Sequence, residues 1–188
     1  YRGLVGSEMC IRDRSYGGCM TVHFSDGSSI DRGSIIQVKQ SLFTGQFYTA
    51  SNSFVNTGLS VTITPTSANS RLVAMGHAII GSDQHAEGMY KVNGGGLDHI
   101  GVSRGSRTRC LGFMGNDFGH GATSHGFAFH TSFIVMGHPN TTSSTDIHFQ
   151  MASPNNDGVY LGRDAEDTDH AEGGSVVCSM IVMEISDG

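Results

Sequence analysis

The chain has 188 residues, which is enough for one domain with a single sizeable core. It contains 11 Lys and Arg residues and 17 Asp and Glu residues, which gives a formal charge of −6. This negative charge argues against a nucleic-acid-binding protein. Glycine is abundant (27 residues), and clusters of Ser, Thr, Asn and Gly with few Leu, Ala, Glu or Lys favour short strands joined by turns over helices. No apolar run has the length of a membrane-spanning helix.

The first 19 residues are interpreted as an artefact of sequencing, not as natural protein. Back-translation of the stretch from Leu4 to Arg14 gives a string that resembles the transposase mosaic-end adapter of sequencing libraries. The Gly-Gly pair shortly before Met20 can be encoded by a purine-rich ribosome-binding site. We therefore expect the natural protein to begin at Met20, with residues 20–33 as an N-terminal arm and residues 34–188 as one domain.

Hydrophobic residues alternate with polar ones in several segments, a pattern typical of strands that are buried on one face. Leu59, Val61 and Ile63 alternate with Ser and Thr, and the run ends at Pro65. No segment has a convincing apolar stripe with the period of a helix. The predicted strands span residues 35–40, 59–63, 72–80, 89–92, 110–114, 127–135, 147–151 and 159–161.

Turn signals separate these strands. Asn-Gly-Gly-Gly at 93–96 resembles the tip of a hairpin, and Asn-Asn-Asp-Gly at 155–158 precedes the strand at 159–161 in the same manner. Many short strands at regular spacing predict an all-β fold, an antiparallel β-sandwich or jelly roll.

The closing segment, residues 176–183, is apolar at both its odd- and its even-numbered positions, the two parities that point to opposite faces of a strand. Two interpretations are open for such a strand: it is central in a sandwich, or it is shared between the core and a subunit interface. Cys110 and Cys178 also lie among apolar residues, which favours buried thiols over a disulfide framework.

Six phrases follow one another along the chain: Phe-Ser-Asp-Gly-Ser at 24–28, Gly-Ser-Ile-Ile-Gln-Val at 33–38, the run at 56–67, Tyr-Lys-Val-Asn-Gly at 90–94, Pro-Asn-Thr-Thr-Ser at 139–143 and Met-Ile-Val-Met-Glu-Ile at 180–185. In this order they resemble small structural proteins of tailed bacteriophages, especially those abundant in marine samples. The resemblance implies a jelly-roll head of the fibre-tip type, similar to the tumour-necrosis-factor and complement-head folds, carried on the virion after synthesis in the host cytoplasm. It leaves open a tail tip, a tail fibre or a capsid fibre.

No catalytic site, metal or cofactor is expected. The sequence has no Gly-x-Ser-x-Gly elbow and no phosphate-binding loop. His120, His125 and His130 are five residues apart, which places successive side chains on opposite faces of a strand. The acidic run at 164–172 lacks the register of an EF-hand loop. A histidine on a symmetry axis could still supply one metal ligand per subunit.

The Gly- and His-rich segment at 115–125 is the candidate recognition loop, because β-sandwiches carry recognition on loops. We expect Asn116, Asp117, His120 and His125 to contact a glycan or protein of the host surface.

We also expect a homotrimer that binds other virion proteins. The strand at 176–185 would lie near the axis, with Phe127, Phe129 and Val182 in the interface. The alternatives are a capsid decoration or head-fibre protein, and a virion-associated polysaccharide depolymerase.

Overall fold

The computed structural model describes residues 22–23, 29–30, 33–82, 87–97, 101–114, 127–164 and 176–187. These ranges contain strands and no helix, so the predicted all-β class is confirmed. The strands are β1 (Val22–His23), β2 (Ser29–Ile30), β3 (Ile35–Phe43), β4 (Phe47–Thr49), β5 (Val55–Ile63), β6 (Arg71–Ser82), β7 (Gly88–Asn93), β8 (Gly112–Met114), β9 (Phe127–Gly137), β10 (Thr145–Ala152), β11 (Val159–Leu161) and β12 (Cys178–Ile185).

The smaller of the two main sheets has the strand order β5-β10-β7-β8, and all of its pairs are antiparallel. The alternation predicted at 59–63 is observed, with Leu59, Val61 and Ile63 buried and the residues between them more exposed. Strand β10 lies in the middle of this sheet, and its Phe149 is fully buried.

The larger sheet has the order β3-β12-β6-β11-β4, and β9 also pairs with β6. Strand β6 pairs with β9 along its whole length, from Leu72 opposite Gly137 to Ser82 opposite Phe127. A strand has only two edges, so β12 and β11 share the other edge of β6, at residues 71–77 and 80–82 respectively. Strand β12 therefore lies inside the sheet, between β6 and β3.

The two sheets bury one core between them, and this gives an antiparallel β-sandwich. Phe133 of the larger sheet stacks on Phe149 of the smaller sheet with ring centroids 5.3 Å apart. Tyr90 stacks on the same Phe149 at 5.5 Å. Full burial of one such side chain stabilises the fold by about 1.5–3 kcal/mol.

The turn after β7 differs from the hairpin tip expected at 93–96. The turn itself is present, because the Leu97 amide donates to the Gly94 carbonyl at 3.0 Å. The strand that pairs with β7 next, however, begins only at Gly112, so no tight hairpin forms. All three glycines of the turn have positive φ, and a Cβ on Gly94 would lie 2.1 Å from the Asp146 carbonyl oxygen. Glycine is therefore required in this turn because neighbouring backbones approach closely, and not because the chain forms a hairpin there.

Gly76 of β6 provides a test of the packing of β6 against its neighbours β12 and β9 in the larger sheet. A Cβ at this position would lie 2.1 Å from the Ser179 carbonyl oxygen and 2.8 Å from Cζ of Phe133. We expect Gly76→Ala to lower the free energy of unfolding by about 1–3 kcal/mol, because an overpacked core must shift backbone. The exposed Gly45 is the control, since its Cβ would meet only Phe43 at ordinary contact distance. Urea denaturation that finds both alanine variants equally stable would contradict the packing described here.

Candidate functional site

The four expected recognition residues, Asn116, Asp117, His120 and His125, lie outside the described residues, and their role stays a prediction. The side chain of Phe127, one of the expected interface residues, is also outside the description, although its backbone belongs to β9.

The other two expected interface residues belong to the core of the sandwich. Val182 is 0% exposed, and Phe129 is partly buried against the core. Side chains on a strand alternate between faces, and on β12 the buried parity contains Cys178, Met180, Val182 and Glu184. A folded subunit therefore cannot offer Val182 to a neighbour. The opposite parity of the same strand faces outward.

This outward parity continues across the larger sheet as an apolar surface, which we call the outer face. Residues that pair across neighbouring strands point to the same side of the sheet, so the register of the strands shows which residues belong to the outer face. Ile134 is 65% exposed, Leu42 is 59% exposed and Ile35 is 58% exposed, which is unusual for such large apolar side chains. The outer face consists of Ile35, Val38 and Leu42 on β3, Ile181, Met183 and Ile185 on β12, Met75 on β6, and Ile134 on β9, and Met136 lies at its margin.

The outward positions of these four strands hold no Asp, Glu or Lys, and Arg71 marks one end of the surface through its pairing with Ile185. The sequence predicted only the part of the outer face that lies on the closing strand. The run Phe133-Ile134-Val135-Met136 is apolar on both parities, as the closing strand is, and this was the signal that could have identified β9 as a second two-sided strand.

A polar band centred on His77 crosses the outer face. Nε2 of His77 lies 2.9 Å from the Val177 carbonyl oxygen, which requires a proton on Nε2. Nδ1 is then the acceptor for the Ser179 hydroxyl at 3.1 Å. His130 stacks on the His77 ring with centroids 5.7 Å apart.

A serine hydroxyl beside an imidazole is one part of a nucleophilic site. In the His77 pair, a backbone carbonyl takes the place where catalytic triads have a carboxylate. The pair also lies on an open sheet face and not in a cleft. The geometry therefore fixes the tautomer and the orientation of His77, and it lacks the features that would stabilise a charged imidazole during catalysis.

Glu184 is a carboxylate on the buried parity of β12, and it is 0% exposed. Its Oε1 accepts hydrogen bonds from the Thr66 amide at 2.7 Å and the Thr66 hydroxyl at 2.8 Å, and its Oε2 accepts one from the Gln37 side-chain amide. Burial alone would raise the pKa of Glu184, but hydrogen bonds from Gln37 and Thr66 outweigh it and hold the pKa below its usual value. Glu184 thereby connects β12 to β3 and to the segment between β5 and β6.

The lowered pKa of Glu184 predicts loss of stability in acid. Its contribution to the free energy of unfolding is fully present above the ordinary pKa of 4.5 and is lost as the pH falls through the lower pKa of the folded state. We expect the melting temperature to decrease with falling pH below about 4.5, and the Glu184→Gln variant to show a shallower decrease. Thermal unfolding monitored by circular dichroism at stepwise lower pH measures both. Equal slopes for the two proteins would contradict the prediction.

The two described cysteines are free thiols. Burial raises the pKa of Cys178, against the smaller effect of hydrogen bonds from the Ile79 and Gly162 backbone, and burial also raises the pKa of Cys110. Less thiolate forms at neutral pH when the pKa is raised, so both thiols are poor nucleophiles.

Among the described residues, no three His, Cys, Asp or Glu side chains come together as metal ligands. The same part of the chain contains no helix long and apolar enough to span a bilayer. No protein-family model matches the chain, and no curated protein matches it significantly. The function is therefore inferred from the surfaces of the sandwich itself.

Proposed function

We propose that the protein is a non-enzymatic structural subunit of a bacteriophage particle, which assembles into a homotrimer through the outer face and presents loops to the host surface. The observation that carries the assembly is the outer face, eight apolar side chains on four neighbouring strands whose outward positions hold no acidic residue. Large contiguous apolar patches mark interaction surfaces, because leaving them in water is unfavourable and invites aggregation.

The composition of the outer face is compatible with a second copy of the chain as its occupant. The chain carries a formal charge of −6, so two copies repel each other at long range. An interface without acidic residues brings no further like charges together at short range. In a ring of three, each subunit meets its two neighbours head to tail through different parts of this face.

The number of subunits and the virion location rest on the ordered phrases that resemble phage structural proteins. The jelly-roll topology and the comparison with trimeric heads come from that resemblance, and the two-sheet architecture is compatible with them. Sandwiches of this kind place loops at their ends, and the recognition segment at 115–125 follows directly after β8.

The genes that flank this one on the source DNA test the virion assignment. Neighbouring tail or capsid genes are expected, and neighbours of purely metabolic function would contradict the proposal. Immunogold labelling of intact particles then distinguishes a location on the tail from one on the capsid.

Incubation with host polysaccharide, followed by a reducing-end assay, should show no sugar release. Release by this protein would replace the structural role with a depolymerase.

A further inference from the structure

A groove of about 500 Å³ opens at one end of the sandwich, beside the start of β6 and the end of β9. Its volume lies within the range of about 300–1,000 Å³ that is common for ligand pockets. The groove is at the margin of the outer face, because Arg71 and Met136 belong to the outward parity of their strands. The lining residues are Arg71, Gly96, Met136, Gly137, His138 and Asn140.

The walls of the groove are held together by two glycines that no other residue could replace without a shift of backbone. A Cβ on Gly96 would lie 1.9 Å from the His138 carbonyl oxygen, and a Cβ on Gly137 would lie 2.1 Å from the Gly96 carbonyl oxygen. Gly96 also has a φ of +72°, a conformation that side chains disfavour. The turn after β7 therefore stays in contact with the segment after β9, and the groove is formed before any ligand arrives.

Hydrogen bonds fix the polar groups of the groove. Nδ1 of His138 lies 3.2 Å from the carbonyl oxygens of both Asn69 and Ser70, so Nδ1 carries a proton and Nε2 is the acceptor of the neutral ring. Asn140 has a φ of 54°. Its backbone amide donates to the Ala68 carbonyl at 3.1 Å and its side-chain amide to the His138 carbonyl at 3.0 Å. The side-chain oxygen of Asn140 is left as a second acceptor.

Arg71 supplies a positive charge, and no carboxylate is among the lining residues. A guanidinium binds a carboxylate through two parallel hydrogen bonds, whereas imidazole and amide acceptors bind hydroxyl groups. The exposed Met136 side chain adds an apolar surface beside them. A ligand complementary to this set carries one carboxylate, several hydroxyls and an apolar C–H face.

We propose that this groove binds an acidic sugar, a uronic or sialic acid unit of a surface polysaccharide, with its carboxylate on Arg71 and its hydroxyls on His138 and Asn140. The site is separate from the segment at 115–125, and it does not depend on the virion assignment.

Isothermal titration calorimetry of the full chain tests the site with three probes: an oligosaccharide containing uronic or sialic acid, its neutral analogue, and inorganic phosphate. We expect binding of the acidic sugar only. Arg71→Gln should weaken binding at least about tenfold, because a charge-assisted pair is lost. Asn140→Ala should weaken it less. Arg104→Gln is the matched control, since Arg104 is an exposed arginine outside the groove, and it should bind as the wild type does.

The result that would overturn the site is an affinity for the acidic sugar that Arg71→Gln leaves unchanged while circular dichroism shows a folded variant. Equal binding of the neutral analogue would remove the role of the carboxylate. Phosphate binding as tight as that of the sugar would reduce the groove to a simple anion site. Absence of heat with all acidic probes would also refute the proposal.

Discussion

Met183→Asp should convert the proposed trimer into a folded monomer, whereas Val182→Asp should prevent folding. Met183 lies on the outer face, so an aspartate there is hydrated in the monomer and becomes a buried, unpaired charge only in the assembly. Val182, its neighbour in sequence, is 0% exposed in the core of each subunit. An unpaired carboxylate in an apolar environment costs several kcal/mol, and a trimer would contain three of them.

Sedimentation velocity and circular dichroism of both variants distinguish the two effects. Met183→Asp is expected to keep the β-sheet spectrum of the wild type and to sediment as a single chain. Met183→Leu is the matched control and should remain a trimer, because it keeps an apolar side chain of similar volume. A Met183→Asp protein that stays trimeric would exclude the outer face as the site of assembly.

Glu184→Ala should lower the free energy of unfolding by about 3–5 kcal/mol, a large part of the stability of a domain. The substitution leaves the Thr66 amide, the Thr66 hydroxyl and the Gln37 side-chain amide without their acceptor in a buried place. Glu184→Gln keeps the shape and one acceptor oxygen, and it should cost less, about 1–3 kcal/mol.

Equilibrium urea denaturation measures these losses. Asp146→Ala is the control, because Asp146 is an exposed carboxylate that accepts a hydrogen bond from Thr62 at 2.6 Å. Water replaces that bond, so the control should change the free energy of unfolding by about 1 kcal/mol or less. A Glu184→Ala protein as stable as the Asp146→Ala protein would show that the carboxylate contributes no more than a surface group.

Alternation in the sequence was sufficient to predict most of the strands, because strands with one face on the core repeat every second residue. The segments predicted at 59–63, 147–151 and 159–161 all lie within observed strands, and the last has the same bounds as β11. Strand β4 (Phe47–Thr49) was not predicted, since three residues are too few to establish a period. The pairing of β6 with both β9 and β12 depends on contacts distant in sequence, which no local pattern contains.

The surfaces were harder to predict than the strands for the same reason. The closing segment was correctly identified as apolar on both parities, but the sequence could not tell which parity faces the core. Its Val182 was expected in the interface, together with Phe127 and Phe129 of β9, whereas the register places Val182 inside and Met183 outside. Glu184 gave no signal of its partners, because Gln37 and Thr66 are 147 and 118 residues away in sequence.

The residues of the groove could not be predicted from the sequence for the same reason, because they are distant from one another along the chain. Arg71 and Asn140 are brought to one groove by the pairing of β6 with β9 and by the hydrogen bond from the Asn140 amide to the Ala68 carbonyl. The phrase at 139–143 resembles phage proteins, but nothing in it indicates that an arginine lies beside it in the fold.

The mass of the full chain in solution tests the role of the outer face most directly. Light scattering coupled to size-exclusion chromatography at micromolar concentration should give three times the chain mass of 19.9 kDa. The mass should not change over a tenfold dilution, because a large apolar interface forms a stable assembly. A stable monomer of 19.9 kDa under these conditions would contradict assembly through the outer face.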